Sequence, residues 1–207
     1  MRTLVLDTAT RACSVALYDD DHIVASHYEV IGRGHAERLL PLVADLPERG
    51  RADQVVVNVG PGSFTGIRVG VAAARALGLA WNVPVSGYGC LSLVAAMARA
   101  RSEKAVSVDV IMAGGHGEYF FQSFNDIGLS MGDAASLPPL RAAEQSRSDI
   151  IAGDAAENLL SFFGNRHFVD ILPDASCWHL IAQAPPLAAR AIYGRAPDAK
   201  LPKGRTA

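Results

Sequence analysis

The stretch from residue 54 to residue 59 constrains the fold of this 207-residue chain more than any other. Its valines point to both sides of an extended strand, and only a strand covered on both faces tolerates that. Such a strand belongs to a parallel sheet flanked by helices. The next residues fit that reading: Gly60-Pro61-Gly62-Ser63 is a turn, and 64–81 reads as a long helix. Gly66, Gly70, Ala74 and Gly78 recur at every fourth position and form a ridge of small residues along that helix. Glycine costs about 1 kcal/mol at an interior helix position. The ridge therefore implies a close approach, either by the chain's own sheet or by a partner helix.

The flanking pattern supplies the rest of the sheet. Residues 3–7, 12–18 and 23–30 read as a β-meander, with Asp19-Asp20-Asp21 as a polar turn. A helix over 35–46 places Leu39, Leu42, Val43 and Leu46 on one face, and Pro41 predicts a kink or a late start. A short strand over 83–85 and a helix over 91–101 come next. Three meander strands and then helix, strand, helix, strand, helix is the repeating unit of ribonuclease H-like and actin-like domains.

The second half begins in the same way. A strand over 106–112, a turn at Gly114-Gly115-His116-Gly117 and a return strand over 118–124 lead to a helix near Leu140. A strand at Ile150-Ile151, a helix over 158–163, a strand over 168–172 and a helix over 178–193, broken by Pro185-Pro186, complete it. The expectation is an α/β fold of the actin-like ATPase class, with similar subdomains over 1–102 and 103–194, the second degenerate. A tail over 195–207 carries four basic groups and one acid. It reads as a solvated arm or as a contact with RNA or a partner.

Charge and composition exclude several classes. Nineteen basic and 21 acidic side chains give a net charge of −2, which argues against clamping nucleic acid over the whole surface. Half the residues are apolar, which excludes a disordered chain. Arg68, Arg75 and Arg99 interrupt the apolar stretches before the ~20 residues a bilayer requires, and no signal-peptide pattern follows Met1. Cys13, Cys90 and Cys177 fit neither a disulfide framework nor a metal knuckle. A cytoplasmic protein without membrane contact is expected.

The most specific stretch is 60–70. It joins a strand to a helix, where free N–H groups and the helix dipole favour an anion, and Ser63 is a natural N-cap. It is neither a P-loop nor a Rossmann fingerprint. A capped helix start, a phosphate site and a partner contact all remain open for it. Asp7 ends the first strand, where actin-like kinases keep a metal-coordinating acid, and it reads equally as a turn cap. Thr8, Thr10, Ser63 and Thr65 are candidates for a phosphate or nucleotide contact. The six histidines form no i, i+4 pair, Cys90 has no base near it in sequence, and Asp109 inside a strand reads as a structural acid. No catalytic residue and no metal ligand is assigned.

Five segments together resemble one family: 4–10 (LVLDTAT), 13–17 (CSVAL), 35–41 (HAERLLP), 60–68 (GPGSFTGIR) and 193–200 (YGRAPDAK). They are similar to the TsaB (YeaZ) family, whose older label is glycoprotease-like, M22. The resemblance implies a part in installing threonylcarbamoyl on the adenosine beside the tRNA anticodon. In that family TsaB is not the transferase: it pairs with TsaD, which holds the metal, and TsaE, an ATPase, joins the pair. The resemblance thus implies a non-catalytic scaffold that also forms homodimers and meets tRNA only through the complex. It implies no tightly bound cofactor, with ATP or ADP at the interface with TsaD. The family's Asp-Ala-Arg ahead of Gly-Glu is replaced here by Ala113-Gly114-Gly115.

The expected interface is the helix pair at about 35–49 and 64–81. Its exposed stripe would be His35, Leu39, Leu42, Val43 and Leu46, beside the ridge of Gly66, Gly70, Ala74 and Gly78. The alternative function is an M22-type metallopeptidase or a small-molecule kinase.

Overall fold

The computed structural model describes residues 1–155 and 166–194. Strands β1 (Arg2–Asp7), β2 (Ala12–Asp19) and β3 (His22–Val30) form the antiparallel meander. Helix α1 (His35–Asp45) leads to β4 (Gln54–Asn58), α2 (Phe64–Trp81), β5 (Val85–Tyr88) and α3 (Cys90–Arg99). β4 lies parallel to both β1 and β5, so the order is β3-β2-β1-β4-β5. The second sheet uses β6 (Val108–Gly115), β7 (Glu118–Phe124), β8 (Ala135–Leu137), β9 (Ile150–Ala152) and β10 (His167–Val169), with α4 (Pro139–Gln145) before β9. Its order is β8-β7-β6-β9-β10, with the same strand directions. The repeated order is that of an actin-like, ribonuclease H-like α/β fold. A short strand β11 (Leu187–Ala188) returns to the first sheet and pairs antiparallel with β5.

Strand alternation divides the apolar side chains between two layers. Leu4, Leu6, Val55 and Val57 face α1 and α2. Val5 and Val56 face the opposite way, into a core that holds Leu91 and Val94 of α3 and Val108, Val110 and Met112 of β6. Both halves thus share one apolar layer, and the run of valines in β4 serves the two faces in turn.

The exposed stripe expected on α1 is not exposed. Leu39, Leu42, Val43 and Leu46 are buried against the chain's own first sheet, and His35 hydrogen-bonds through Nε2 to the Ala12 carbonyl at 3.1 Å. The ridge on α2 also turns inward. A Cβ on Gly66 would strike the Thr8 carbonyl, and one on Gly70 would lie 2.5 Å from Thr8 Oγ1. One on Gly78 would strike Val85, and Ala74 is fully buried. An amphipathic helix lying on a sheet must bury its apolar stripe there, so of the two readings of the ridge the core reading holds.

Other boundaries moved for local reasons. α1 begins at His35 and runs through the exposed Pro41 without a late start. The strand expected over 83–85 lies at Val85–Tyr88, since Pro84 has no N–H to give a ladder and instead accepts from Val55. In place of a helix over 178–193 there is a 3-10 helix over Ala175–Ile181, capped by Asp174, and then β11. Pro185-Pro186 removes the donors that a longer helix needs. The strand expected over 168–172 stops at Val169, although Ile171 and Leu172 remain buried. The helix expected over 158–163 and the basic tail over 195–207 lie outside the described residues. Among those described, no helix is long and apolar enough to cross a membrane.

Candidate functional site

The carboxyl ends of the parallel strands β1 and β4 in the first sheet and β6 and β9 in the second face one cleft of about 840 Å³. Its floor in the first half is organised by Asp7, which is completely buried. Asp7 Oδ2 accepts from Asn58 Nδ2 (2.6 Å) and from the Tyr88 hydroxyl (2.7 Å), and Oδ1 accepts from Ala9 N (3.0 Å). The ends of β1, β4 and β5 are thereby tied to a single carboxyl. Asn58 passes the connection on, since its Oδ1 accepts from Gly60 N at 2.9 Å. Burial pushes the Asp7 pKa up to about 6, against the pull of Asn58, Tyr88 and Ala9. Burial raises the Tyr88 hydroxyl and the Cys90 thiol as well. This enclosed acid caps a turn and joins strand ends, and a ligand in the cleft has no path to its oxygens.

The glycine loop lies on top of this floor. Ser63 N donates to the Ala9 carbonyl (2.7 Å), Thr8 Oγ1 donates to the Gly66 carbonyl (2.7 Å), and Ser63 Oγ caps α2 by accepting from Gly66 N (3.2 Å). Gly62 is required here, because a Cβ would strike the Ala9 carbonyl. Of the five candidate phosphate contacts, Thr10 and Ser63 line the cleft. Asp7 and Thr8 are buried beneath it, and Thr65 is exposed without lining it.

The β6–β7 hairpin forms the opposite wall. His116 and Gly117 both have positive φ, 55° and 80°, as a tight two-residue hairpin demands. Asp154 Oδ1 accepts from Ala113 N at 2.9 Å, and Oδ2 lies 3.7 Å from Arg11 Nε. Burial raises its pKa. Asp109 stands at the other end of β6, where it accepts from Ser123, Ser146, Arg147 and Ser148, and so has the structural part expected of it. Among the described residues, no group of three or more His, Cys, Asp or Glu side chains is placed to hold a metal ion.

Sequence reasoning missed two features of the cleft. One is the pair Asn58 and Tyr88, for which the single polar side chain in the valine run was the available signal. The other is a stack at the rim. The Arg68 guanidinium lies 3.5 Å over the Phe64 ring, and its Nε donates to the Tyr193 hydroxyl at 2.7 Å. Arg68 ends the glycine-loop motif and Tyr193 opens the C-terminal one, so the two most specific motifs meet in space.

Residues 23–151 match the family described as TsaD, tRNA N6-adenosine threonylcarbamoyltransferase. The tRNA threonylcarbamoyladenosine biosynthesis protein TsaB of Escherichia coli is 41% identical over 100 residues, 46% of this chain and 43% of that protein. The TsaB of Bacillus subtilis is 33% identical over 106 residues, 48% of this chain and 45% of that protein. These matches span less than half the length of either relative. Among solved structures, YeaZ of Pseudomonas aeruginosa superposes with a TM-score of 0.80 at 30% identity, covering 93% of this chain and 99% of that one. The glycine loop, the strand order and these similarities agree, and the chain belongs to the TsaB/YeaZ family.

Proposed function

We propose that the chain is a non-catalytic subunit in the formation of threonylcarbamoyladenosine beside the anticodon of tRNA. In this reading it pairs with a TsaD-type transferase in the cytoplasm and receives a TsaE-type ATPase. It meets tRNA only through that assembly. The observation that carries the reading is the enclosure of Asp7. The acid at the end of β1 is committed to Asn58, Tyr88 and Ala9, which disfavours its use as a metal ligand in a peptidase or a kinase. ATP or ADP would be held at the joint with the transferase and not tightly by this chain alone.

The docking surface is set by the corrected helix faces. With Leu39 and Leu42 in the core, α1 presents Ala36, Leu40 and Ala44 to solvent, and α2 presents Ala72, Ala76 and Leu79. Leu40 is 50% and Leu79 86% exposed. Small residues around two exposed leucines permit close helix–helix approach. A homodimer would use the same faces and compete with the transferase.

The test is co-purification with the transferase, followed by a threonylcarbamoylation assay with each protein omitted in turn. Modification is expected only when this chain is present. Leu79→Arg should abolish pairing while shifting stability by less than about 0.5 kcal/mol. Metal- or ATP-dependent turnover by the isolated chain, lost in Asp7→Ala, would overturn the proposal.

A further inference from the structure

We propose that the cleft binds a small molecule in which an oxyanion is carried on an apolar or aromatic body, with the Arg68 guanidinium as receptor for the oxyanion. Arg68 is held from two sides. Its guanidinium carbon lies 3.5 Å over the Phe64 ring centroid and 5.3 Å from that of Tyr193, and the two rings stand 5.1 Å apart at 36°. Its Nε is spent on the Tyr193 hydroxyl. The terminal nitrogens remain, and these are the pair that grips a carboxylate or phosphoryl group in parallel hydrogen bonds. Arg2, Arg38 and Arg141 each have a carboxylate partner at 2.8 Å or closer, whereas no ion pair engages Arg68 among the described residues. A guanidinium already fixed in its plane loses little freedom on binding.

The surroundings favour the same ligand. Arg11 and His116 also line the cleft, and among the described residues Asp154 is the one carboxylate in its lining. That carboxyl is occupied by Ala113 N and faces Arg11, and burial favours its neutral form. Phe64 is 56% and Tyr193 44% exposed, and Met112 and Phe120 stand among the residues across the cleft, which gives an apolar body surfaces to cover. A volume of about 840 Å³ suits a small molecule. Arg11 is already paired with Asp154 and Asp170, so the guanidinium of Arg68 and the half-exposed rings beside it are what the rim offers a ligand, above the enclosed Asp7.

The isolated chain is titrated with phenyl phosphate, benzoate, inorganic phosphate and benzyl alcohol, by calorimetry and by the NMR signals of the Phe64 and Tyr193 rings. Phenyl phosphate, benzoate or both should bind saturably and move both rings, and their ratio distinguishes phosphate from carboxylate. Inorganic phosphate should bind more weakly, and benzyl alcohol should not move the rings. Arg68→Lys keeps the charge but loses the stacked fork, and it should weaken binding about tenfold or more at an unchanged melting temperature. Wild-type affinity in Arg68→Lys would overturn the proposal. So would the absence of saturable ring shifts in the unaltered chain, a result that needs no variant to fold. No transferase is present in the titration, so its failure leaves the proposed assembly role standing.

Discussion

The two sheets share a strand order, yet each anchors its acid at a different end. In the first sheet Asp7 sits at the carboxyl end of β1, under the cleft, and binds the ends of β4 and β5 together. In the second, Asp109 sits at the amino end of β6, away from the cleft, and holds the segment Ser146–Ser148 that leads into β9. Where β1 ends in an acid, β6 ends in Ala113-Gly114-Gly115. Strand order depends on which apolar faces must be covered. The polar groups at strand ends depend only on local partners. One strand order can therefore carry different polar groups at the cleft, as the two sheets of this molecule do.

The largest expected effect sharpens this contrast. Asp109→Ala leaves the donors of Ser123, Ser146, Arg147 and Ser148 without their acceptor. We expect a loss of roughly 4 kcal/mol in denaturant unfolding. A loss below about 1 kcal/mol would show that the second half does not depend on its acid.

The next effect depends on pH. The Asp7 pKa rises from 3.8 to about 6 on folding, so the native state keeps a proton that the unfolded chain has already released. The contribution of Asp7 to stability is greatest below pH ~4 and declines as pH rises towards 6, by roughly 3 kcal/mol. Asp7→Asn should remove this part of the slope, and unfolding curves of the two proteins at pH 4 and pH 7 would measure it. Parallel pH profiles would mean that Asp7 is as well solvated as an ordinary surface acid.

Gly70→Leu comes third. Its side chain would enter the space of Thr8 Oγ1 and Val57, and overpacking of this kind costs about 1–3 kcal/mol. The loss should appear in the melting temperature of the isolated chain. A variant of unchanged stability with weakened transferase binding would return the ridge to an interface. The smallest effect is Ser63→Ala. Loss of the cap on α2 should cost ~1 kcal/mol, read as a small shift in the denaturation midpoint with no change in the fold.

Much of the fold was legible because periodicity reports burial. The meander, the valine strand and α2 with its Ser63 cap lie where the pattern of apolar and turn residues puts them. The hairpin turn falls within the expected 114–117, although β6 runs on through Gly115 and leaves only His116-Gly117 as the turn. The misreading of the helix faces has one cause. An apolar stripe shows that a helix face is buried but not what buries it, so Leu39, Leu42 and Val43 read equally well as an interface or as a core. The outer faces with Leu40 and Leu79 have too weak a period to announce themselves. At the C-terminal end, helical spacing over 178–193 yielded to Pro185-Pro186 and to the open edge of β5.

By itself the sequence determined the α/β class, the order of elements, the capped glycine loop and the family resemblance. Each of these is written in residues that are neighbours along the chain. Tertiary structure alone decided what the marked residues touch. Asp7 meets Asn58 and Tyr88, 51 and 81 positions away, and Arg68 meets Tyr193 across 125. Spacing along the chain encodes the direction in which a side chain points, whereas burial, a shifted pKa and a stacked guanidinium require partners that only packing brings within hydrogen-bond distance.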